Sequence, residues 1–296
     1  MSLGKRLGRL ATKSFIRGKD IRPVLVESEI PALTYSGVNS VLPLPRNYRG
    51  GCLTVRENAQ DIRIEVGQVR ATGDNGNIAV TSVITKQIDN DWAAGDDAGG
   101  FPDTALDLTA STWYHVFLLG KTTNDAFDAG FDTSITATNL LGDAAVVTAG
   151  YTTYRRVASV LMDSGPTNIL VYIQNGAHFY WGVSQLTTID DPGTSAVLSV
   201  ITGAPIDHET LISLTSFSVD GTALKGIVTS PSAGDQDPDT NLAPLATYVQ
   251  GSGINEHQTI WIKTDTSGRI RHRWDPSPDS LDFSCQGWID DLGAFD

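Results

Sequence analysis

Residues 149–181, AGYTTYRRVASVLMDSGPTNILVYIQNGAHFYW, are the densest run of aromatic and β-branched side chains in the chain. Such side chains fit a pleated, half-buried surface. The run therefore reads as a strand over Tyr154–Met162, a turn over Asp163–Asn168, a strand over Ile169–Gln174, an Asn175-Gly176 turn and an aromatic strand over Phe179–Trp181. That spacing predicts two hairpins in succession.

The same pattern extends outward. Gly51–Arg56, Asp61–Arg70 and Ile78–Gln87 read as strands, with Ile62, Ile64 and Val66 alternating against Arg63 and Glu65 so that one face is buried and the other wet. Ser111–Gly120 carries apolar side chains on both faces, which predicts a central strand lying between layers. His115 alternates there with Trp113 and Phe117 and is expected to be a hydrogen-bonded core histidine. Lys121–Ala149 reads as a long connection with a weakly helical Thr138–Ala145. Beyond Trp181, short runs at Ala196–Thr202, Leu211–Val219, Ala223–Ser230, Gln258–Lys263, Arg269–Trp274 and Leu281–Phe283 repeat at intervals near ten residues, the rhythm of a second antiparallel unit. The prediction is an all-β protein of two antiparallel, jelly-roll-like β-sandwich units over 46–182 and 183–296, with no helix beyond three turns in the body. An extended arm over 1–45 precedes them. It holds a basic segment in which Leu3, Leu7 and Leu10 stand at helical spacing, followed by a stretch that Pro23, Pro31, Pro43 and Pro45 keep from becoming a long helix.

The 296 residues carry a formal charge of −13, which argues against a body that binds nucleic acid, since phosphate neutralisation needs clustered Lys and Arg. The charge is uneven. Lys5, Arg6, Arg9, Lys13, Arg17, Lys19 and Arg22 face only Asp20 within residues 1–22, so residues 23–296 hold −19. A basic arm on an acidic body predicts docking to a neighbouring subunit, and Lys5, Arg6, Arg9, Lys13, Arg17 and Arg22 are its candidate contacts. No run reaches the length of a membrane span and no apolar region typical of a signal peptide follows the basic start, so neither membrane insertion nor standard export is expected. Cys52 and Cys285 read as two isolated thiols in a reducing cytoplasm, with a disulfide clamp as the alternative.

The motifs of phosphate-binding loops, dinucleotide folds, nucleophile elbows, helical zinc sites and Cys-x-x-Cys pairs are missing from the sequence. His115, His178, His208, His257 and His272 are scattered, and no catalytic, metal or cofactor residue is assigned. Asp207-His208-Glu209 reads as a polar turn rather than an acid/base cluster. Asp89–Asp107 is rich in Asp and Gly but lacks calcium-loop spacing, so it reads as a solvated acidic loop. Arg155 and Arg156 must point to opposite sides of a strand, one toward an acidic partner and the other toward the surface. Tyr151, Tyr172 and Trp274 are the candidate exposed aromatics for contact with a partner protein or a sugar ring.

Three motifs, Trp113-Tyr-His-Val-Phe117, Ala149-Gly-Tyr-Thr-Thr-Tyr-Arg-Arg156 and Phe179-Tyr-Trp181, resemble a recurring pattern of tailed-bacteriophage virion proteins of the tail-fibre-like type. Asn241–Leu245, Thr264–Arg271 and Gly287–Asp290 resemble the closing half of the same proteins, so the resemblance spans roughly Leu44 to Asp290. It implies a virion component made in the host cytoplasm: a structural tail-fibre or baseplate appendage, non-enzymatic and without cofactor. Its expected partners are other virion proteins, further copies of itself (a trimer first) and a host-surface glycan or receptor. A capsid head-fibre or decoration protein is one alternative, and a polysaccharide-degrading tail appendage is the other.

Overall fold

The computed structural model describes residues 44, 48–102, 108–206, 208–217, 224–238, 247–250, 257–278 and 280–292. The basic arm, the Pro-punctuated linker, Asp103–Asp107 and the Asn241–Leu245 motif lie outside them. In chain order the first strands are β1 (Arg49–Gly51), β2 (Thr54–Arg56), β3 (Asp61–Ile64), β4 (Gly67–Arg70), β5 (Asn77–Val80), β6 (Ile84–Asp91) and β7 (Ala98–Phe101). Next come β8 (Trp113–Gly120), β9 (Phe127–Asp132), the helices α1 (Thr138–Gly142) and α2 (Ala144–Ala149), then β10 (Thr153–Leu161), β11 (Tyr172–Asn175) and β12 (His178–Asp190). The rest are β13 (Val197–Val200), β14 (Glu209–Phe217), β15 (Leu224–Thr229), β16 (Thr247–Gln250), β17 (His257–Lys263), β18 (Arg269–Asp275) and β19 (Ser280–Ile289).

The protein is all-β. Among the described residues the strands form five sheets, ordered β1-β4-β5, β2-β3-β6-β7, β10-β8-β9, β11-β12-β19-β14-β17 and β13-β18-β15-β16. Every pairing is antiparallel except that of β6 with β7. Neither α1 nor α2 exceeds two turns, and no helix among the described residues is long and apolar enough to cross a membrane.

Several sequence expectations change for identifiable reasons. Asp61–Arg70 and Ile78–Gln87 are each two strands, because the chain bends at Glu65-Val66 and again between Val80 and Ile84 and passes from one sheet to another. Tyr154–Met162 and Ile169–Gln174 do not form a hairpin. Beyond a single bridge between Met162 and Ile169, β10 pairs with β8 and β11 with β12. The turn between them is wound around Asp163, whose Oδ1 accepts the backbone N–H of Gly165, Thr167 and Asn168 and so delivers the chain to the second sheet. The Asn175-Gly176 turn does form as expected, with Gly176 at positive φ between β11 and β12. β8 is the central strand of its sheet, as its two apolar faces required.

The acidic segment 89–107 is not a plain loop. β6 runs into it as far as Asp91, and β7 follows. Lys86, almost fully buried, reaches under the connection, where its ammonium donates to the carbonyls of Ala93 (2.6 Å) and Gly95 (3.1 Å) and pairs with Asp128 at 3.0 Å. Burial pushes the Lys86 pKa down while the Asp128 carboxylate pushes it up. The ammonium thus organises this turn from inside.

The division expected between residues 182 and 183 falls inside β12. That strand pairs with β11 at its start and along most of its length with β19, which lies between β12 and β14 at the centre of the largest sheet. The main core follows suit, running without a break from Cys52, Ile62 and Val69 through Val116, Phe179 and Trp181 to Ile212, Ile270, Phe283 and Trp288. At its heart Trp288 lies 4.7 Å (ring centroids) from Trp181, 5.2 Å from Trp113 and 5.0 Å from Phe179, with Trp113 and Trp181 themselves 5.8 Å apart. The Trp181 indole N–H donates to the Gly203 carbonyl at 3.0 Å. Gly203 has a φ of +74°, and a Cβ there would collide with Gln185 and the indole nitrogen, so only glycine brings that carbonyl into place. Cys52 and Cys285 are free thiols, both buried, with burial pushing each up to about 12.

This packing predicts that Trp181→Ala and Trp288→Ala each cost about 3–5 kcal/mol, and the less enclosed Trp113→Ala somewhat less, read as shifts in urea midpoints. Substitutions that leave the midpoint unmoved would place these rings outside the core.

Candidate functional site

Two assemblies of side chains stand out, one buried between the β10-β8-β9 sheet and the end of β19, and one on the outer face of the five-stranded sheet. The inner one begins where β8 and β10 pair: Ser159 lies directly opposite His115 in the register. Arg156 sits on the same strand just before a bulge, and Asp290 follows the last residue of β19, its N–H donating to the Ala177 carbonyl at 2.9 Å. Arg156 Nη2 donates to Asp290 Oδ1 at 2.8 Å and Ser159 Oγ donates to Asp290 Oδ2 at 3.0 Å. Since that uses the hydroxyl's one proton, His115 is the donor in its 2.9 Å contact with Ser159 Oγ, which places its proton on Nδ1. Burial, reinforced by the Arg156 charge, pushes the His115 pKa down to about 3, in keeping with a neutral ring.

His208 completes the cluster in the opposite protonation state. Its Nε2 lies 3.3 Å from Asp290 Oδ1 and its Nδ1 bonds the Ile206 carbonyl, so both ring nitrogens face acceptors and the imidazolium satisfies both. Burial works against that charge, but the Asp290 carboxylate outweighs it and raises the pKa. Asp290 Oδ1 also accepts the Leu292 N–H at 2.8 Å, and Asp291 stands 3.5 Å from Arg156. Desolvation alone would raise the Asp290 pKa, yet His208 and Arg156 hold it well below the usual carboxylate range.

Ser, His and Asp in contact invite comparison with a nucleophilic triad, but the geometry is a different one. In a triad the carboxylate orients the histidine that activates the serine, whereas here the carboxylate binds the serine itself and Ser159 is fully enclosed. The cluster is a clamp. It ties β8 and β10 to the end of β19 and to the segment before β14. His208 therefore belongs to this clamp and not to a bare polar turn, while Asp207 lies outside the described residues. Arg155, expected on the surface if Arg156 was paired, is buried as well.

The outer face of the five-stranded sheet is different in kind. Ile173, Tyr180, Gly287, Leu211 and Trp261 follow one another in register across all five strands, with Ile173 62% exposed, Tyr180 36% and Trp261 44%. The His178 ring stacks along Tyr180 (6.5 Å) and meets the Trp261 ring edge-on (6.3 Å). Val171, just before β11, and Leu186 on β12 extend the patch, and both are exposed.

The candidate binding aromatics Tyr151, Tyr172 and Trp274 are buried and none belongs to this face: Tyr172 stands beside Ile173 on β11 but points inward with Trp181. Their polar tips are what reconcile two of them with the core. Tyr172 Oη donates to Thr54 Oγ1 at 2.7 Å, and Tyr151 Oη to the Phe127 carbonyl at 3.3 Å. Trp274 packs against Gly226, where a Cβ would overlap its ring. The arm residues Lys5, Arg6, Arg9, Lys13, Arg17 and Arg22 lie outside the described residues. The exposed row was missed because β12 reads as uniformly aromatic at His178–Trp181, whereas only Phe179 and Trp181 point inward and His178 and Tyr180 point out. Strict period-two reading of that strand carries the signal.

A cleft of about 420 Å³ lined by Leu198, Ser230, Lys263, Thr264, Asp265 and Arg269 is occupied by internal bonds of its own. Arg269 pairs with Asp265 at 2.7 Å, and the Thr264 hydroxyl donates to the Pro205 carbonyl at 2.7 Å. Among the described residues no three His, Cys, Asp or Glu side chains converge as a metal site would require. No protein-family model matches the chain, and no curated protein matches it.

Two expectations follow from the clamp. Arg156→Met or Asp290→Leu alone should cost about 3–5 kcal/mol, because each leaves a buried charge unpaired, while the two substitutions combined should cost less than the same singles added together. Additive losses in a double-mutant cycle would show that the pair is uncoupled. The pH dependence has a defined sign. His208, with its folded pKa raised, contributes stability that is complete below about pH 6.5 and is lost as pH rises through its folded value. Wild type should therefore lose stability as pH rises above about 6.5, by at most about 1.4 kcal/mol per pH unit, where His208→Gln does not. Parallel melting curves of the two proteins between pH 6 and 9 check this.

Proposed function

We propose that this chain is a non-enzymatic structural component of a tailed-bacteriophage particle, a tail-fibre or baseplate appendage that works by assembly and host-surface attachment. The observation that carries the reading is a convergence in space. Trp113 and His115 from the first resembling motif, Arg156 from the second, Trp181 from the third and Trp288 and Asp290 from the closing one meet in a single buried knot of ring contacts and charge. Motifs that meet in a core report a shared scaffold, and the clamp they build supports a role in holding shape rather than turning over a substrate.

In this reading the basic arm engages another virion protein, and several copies displayed together gain avidity for a cell-surface glycan or receptor from individually weak contacts. The charge contrast between residues 1–22 and the −19 of the remainder favours an arm that reaches away from its own body only where a partner competes for it. Deleting Met1–Arg22 is expected to leave the β-sheet circular dichroism spectrum and melting temperature unchanged while abolishing incorporation into particles. Immunogold labelling of wild-type particles is expected to mark the tail. Label confined to the capsid would move the chain to the head-fibre or decoration class, and normal incorporation of the shortened protein would remove the arm from assembly.

A further inference from the structure

We propose that the outer face of the five-stranded sheet, centred on Ile173, Tyr180 and Trp261, is an interface with a second copy of this chain. The first argument is area. The exposed fractions of Val171 (50%), Ile173 (62%), Tyr180 (36%), Leu186 (59%) and Trp261 (44%) add up to roughly 500 Å² of largely apolar residue surface on one sheet face. That lies toward the upper end of the largest patch that monomeric proteins usually expose. With the uncharged Ser213, Thr259 and Ser284 that continue the face beside Leu186, it approaches the roughly 800 Å² per partner of a stable association.

The second argument is charge. Residues 23–296 carry −19, so two copies repel one another over most of their surfaces. On this face Glu209 and Lys263 are direct partners in the register and offset one another, the carboxylates of Asp282 and Asp190 lie at the far end beyond Leu186, and the central row from Ile173 to Trp261 holds no ionisable side chain but the tyrosine. A second copy meets the least repulsion where the carboxylates are fewest. The aromatic pair and its apolar neighbours also match the composition of interface centres, in which tyrosine and tryptophan anchor the contact and charges are depleted. The proposal rests on the face alone and stands whether or not the chain belongs to a virion.

The test is the mass of the full-length protein in solution, measured by light scattering on a sizing column at tens of micromolar and moderate salt. Wild type is expected at twice the 31.6 kDa of one chain or more. Ile173→Lys combined with Leu186→Lys is expected to weaken self-association thirtyfold or more and to elute at the mass of one chain, with an unchanged near-ultraviolet spectrum. Val55→Lys, a similarly exposed aliphatic position on β2, serves as the control and is expected to behave as wild type. Should the double lysine variant fail to fold, Trp261→Ser with Leu186→Ser keeps the surface neutral and carries the same expectation. A wild-type chain at the mass of one copy overturns the proposal, as does a folded face variant that keeps the wild-type mass. A single-copy wild type whose retention on immobilised polysaccharide is lost in Trp261→Ser would assign the face to a glycan instead.

Discussion

The ion pair between Arg156 and Asp290 is the constraint on which the rest of the molecule turns. The two residues are 134 positions apart, both buried, and neither charge can leave water without the other. Once they meet, the end of β19 is fixed against β10, Trp288 is pressed onto Trp181 and Phe179, and His208 is drawn in as a second cation from the segment leading to β14. The sheet that joins the two parts of the chain is thereby locked in one register. Uncharged side chains could have filled the space with comparable stability, but a carboxylate that takes bonds from Arg156, Ser159, His208 and Leu292 admits one arrangement only.

The Lys86–Asp128 pair does the same at smaller scale for the first half of the chain, where a turn that reads as a solvated acidic loop is gathered around one buried ammonium. Charge on this protein is thus of two sorts: a large acidic excess in contact with water, and a few enclosed pairs that set geometry.

Alternation was enough to find most of the strands. Ile62 and Ile64 are buried and Arg63 is not, as the period of two requires, and the two apolar faces of β8 mark it as central. What the chain did not disclose is which polar residues are internal. β9 was overlooked because Phe-Asp-Ala-Gly-Phe-Asp carries two aspartates that look solvated. Asp128 is instead paired with Lys86, and Asp132 accepts the Leu140 N–H and the Asn139 amide. The later part of β12 is built of Ser, Thr and Gln, so it looks like a linker and hides the strand that ties the two halves together. Tyr172 and Tyr151 look like surface aromatics until their hydroxyl partners, set by distant strands, are known. The candidate site has the same character: each of its members was visible, but their meeting depends on pairings across more than a hundred residues, which local pattern does not encode.

The position of β19 also dictates an order of events during synthesis. It is the last described strand, yet it sits between β12 and β14 and gives each of them its long antiparallel partner. Until residue 289 has left the ribosome, those two strands keep open edges, Trp181 lacks its closest ring and Arg156 lacks its carboxylate. The nascent chain therefore cannot complete its core one half at a time. It must hold everything from β1 to β19 in an unfinished state, with hydrogen-bonding edges exposed to other nascent chains, and the acidic excess that keeps such intermediates apart is at its most useful in that interval.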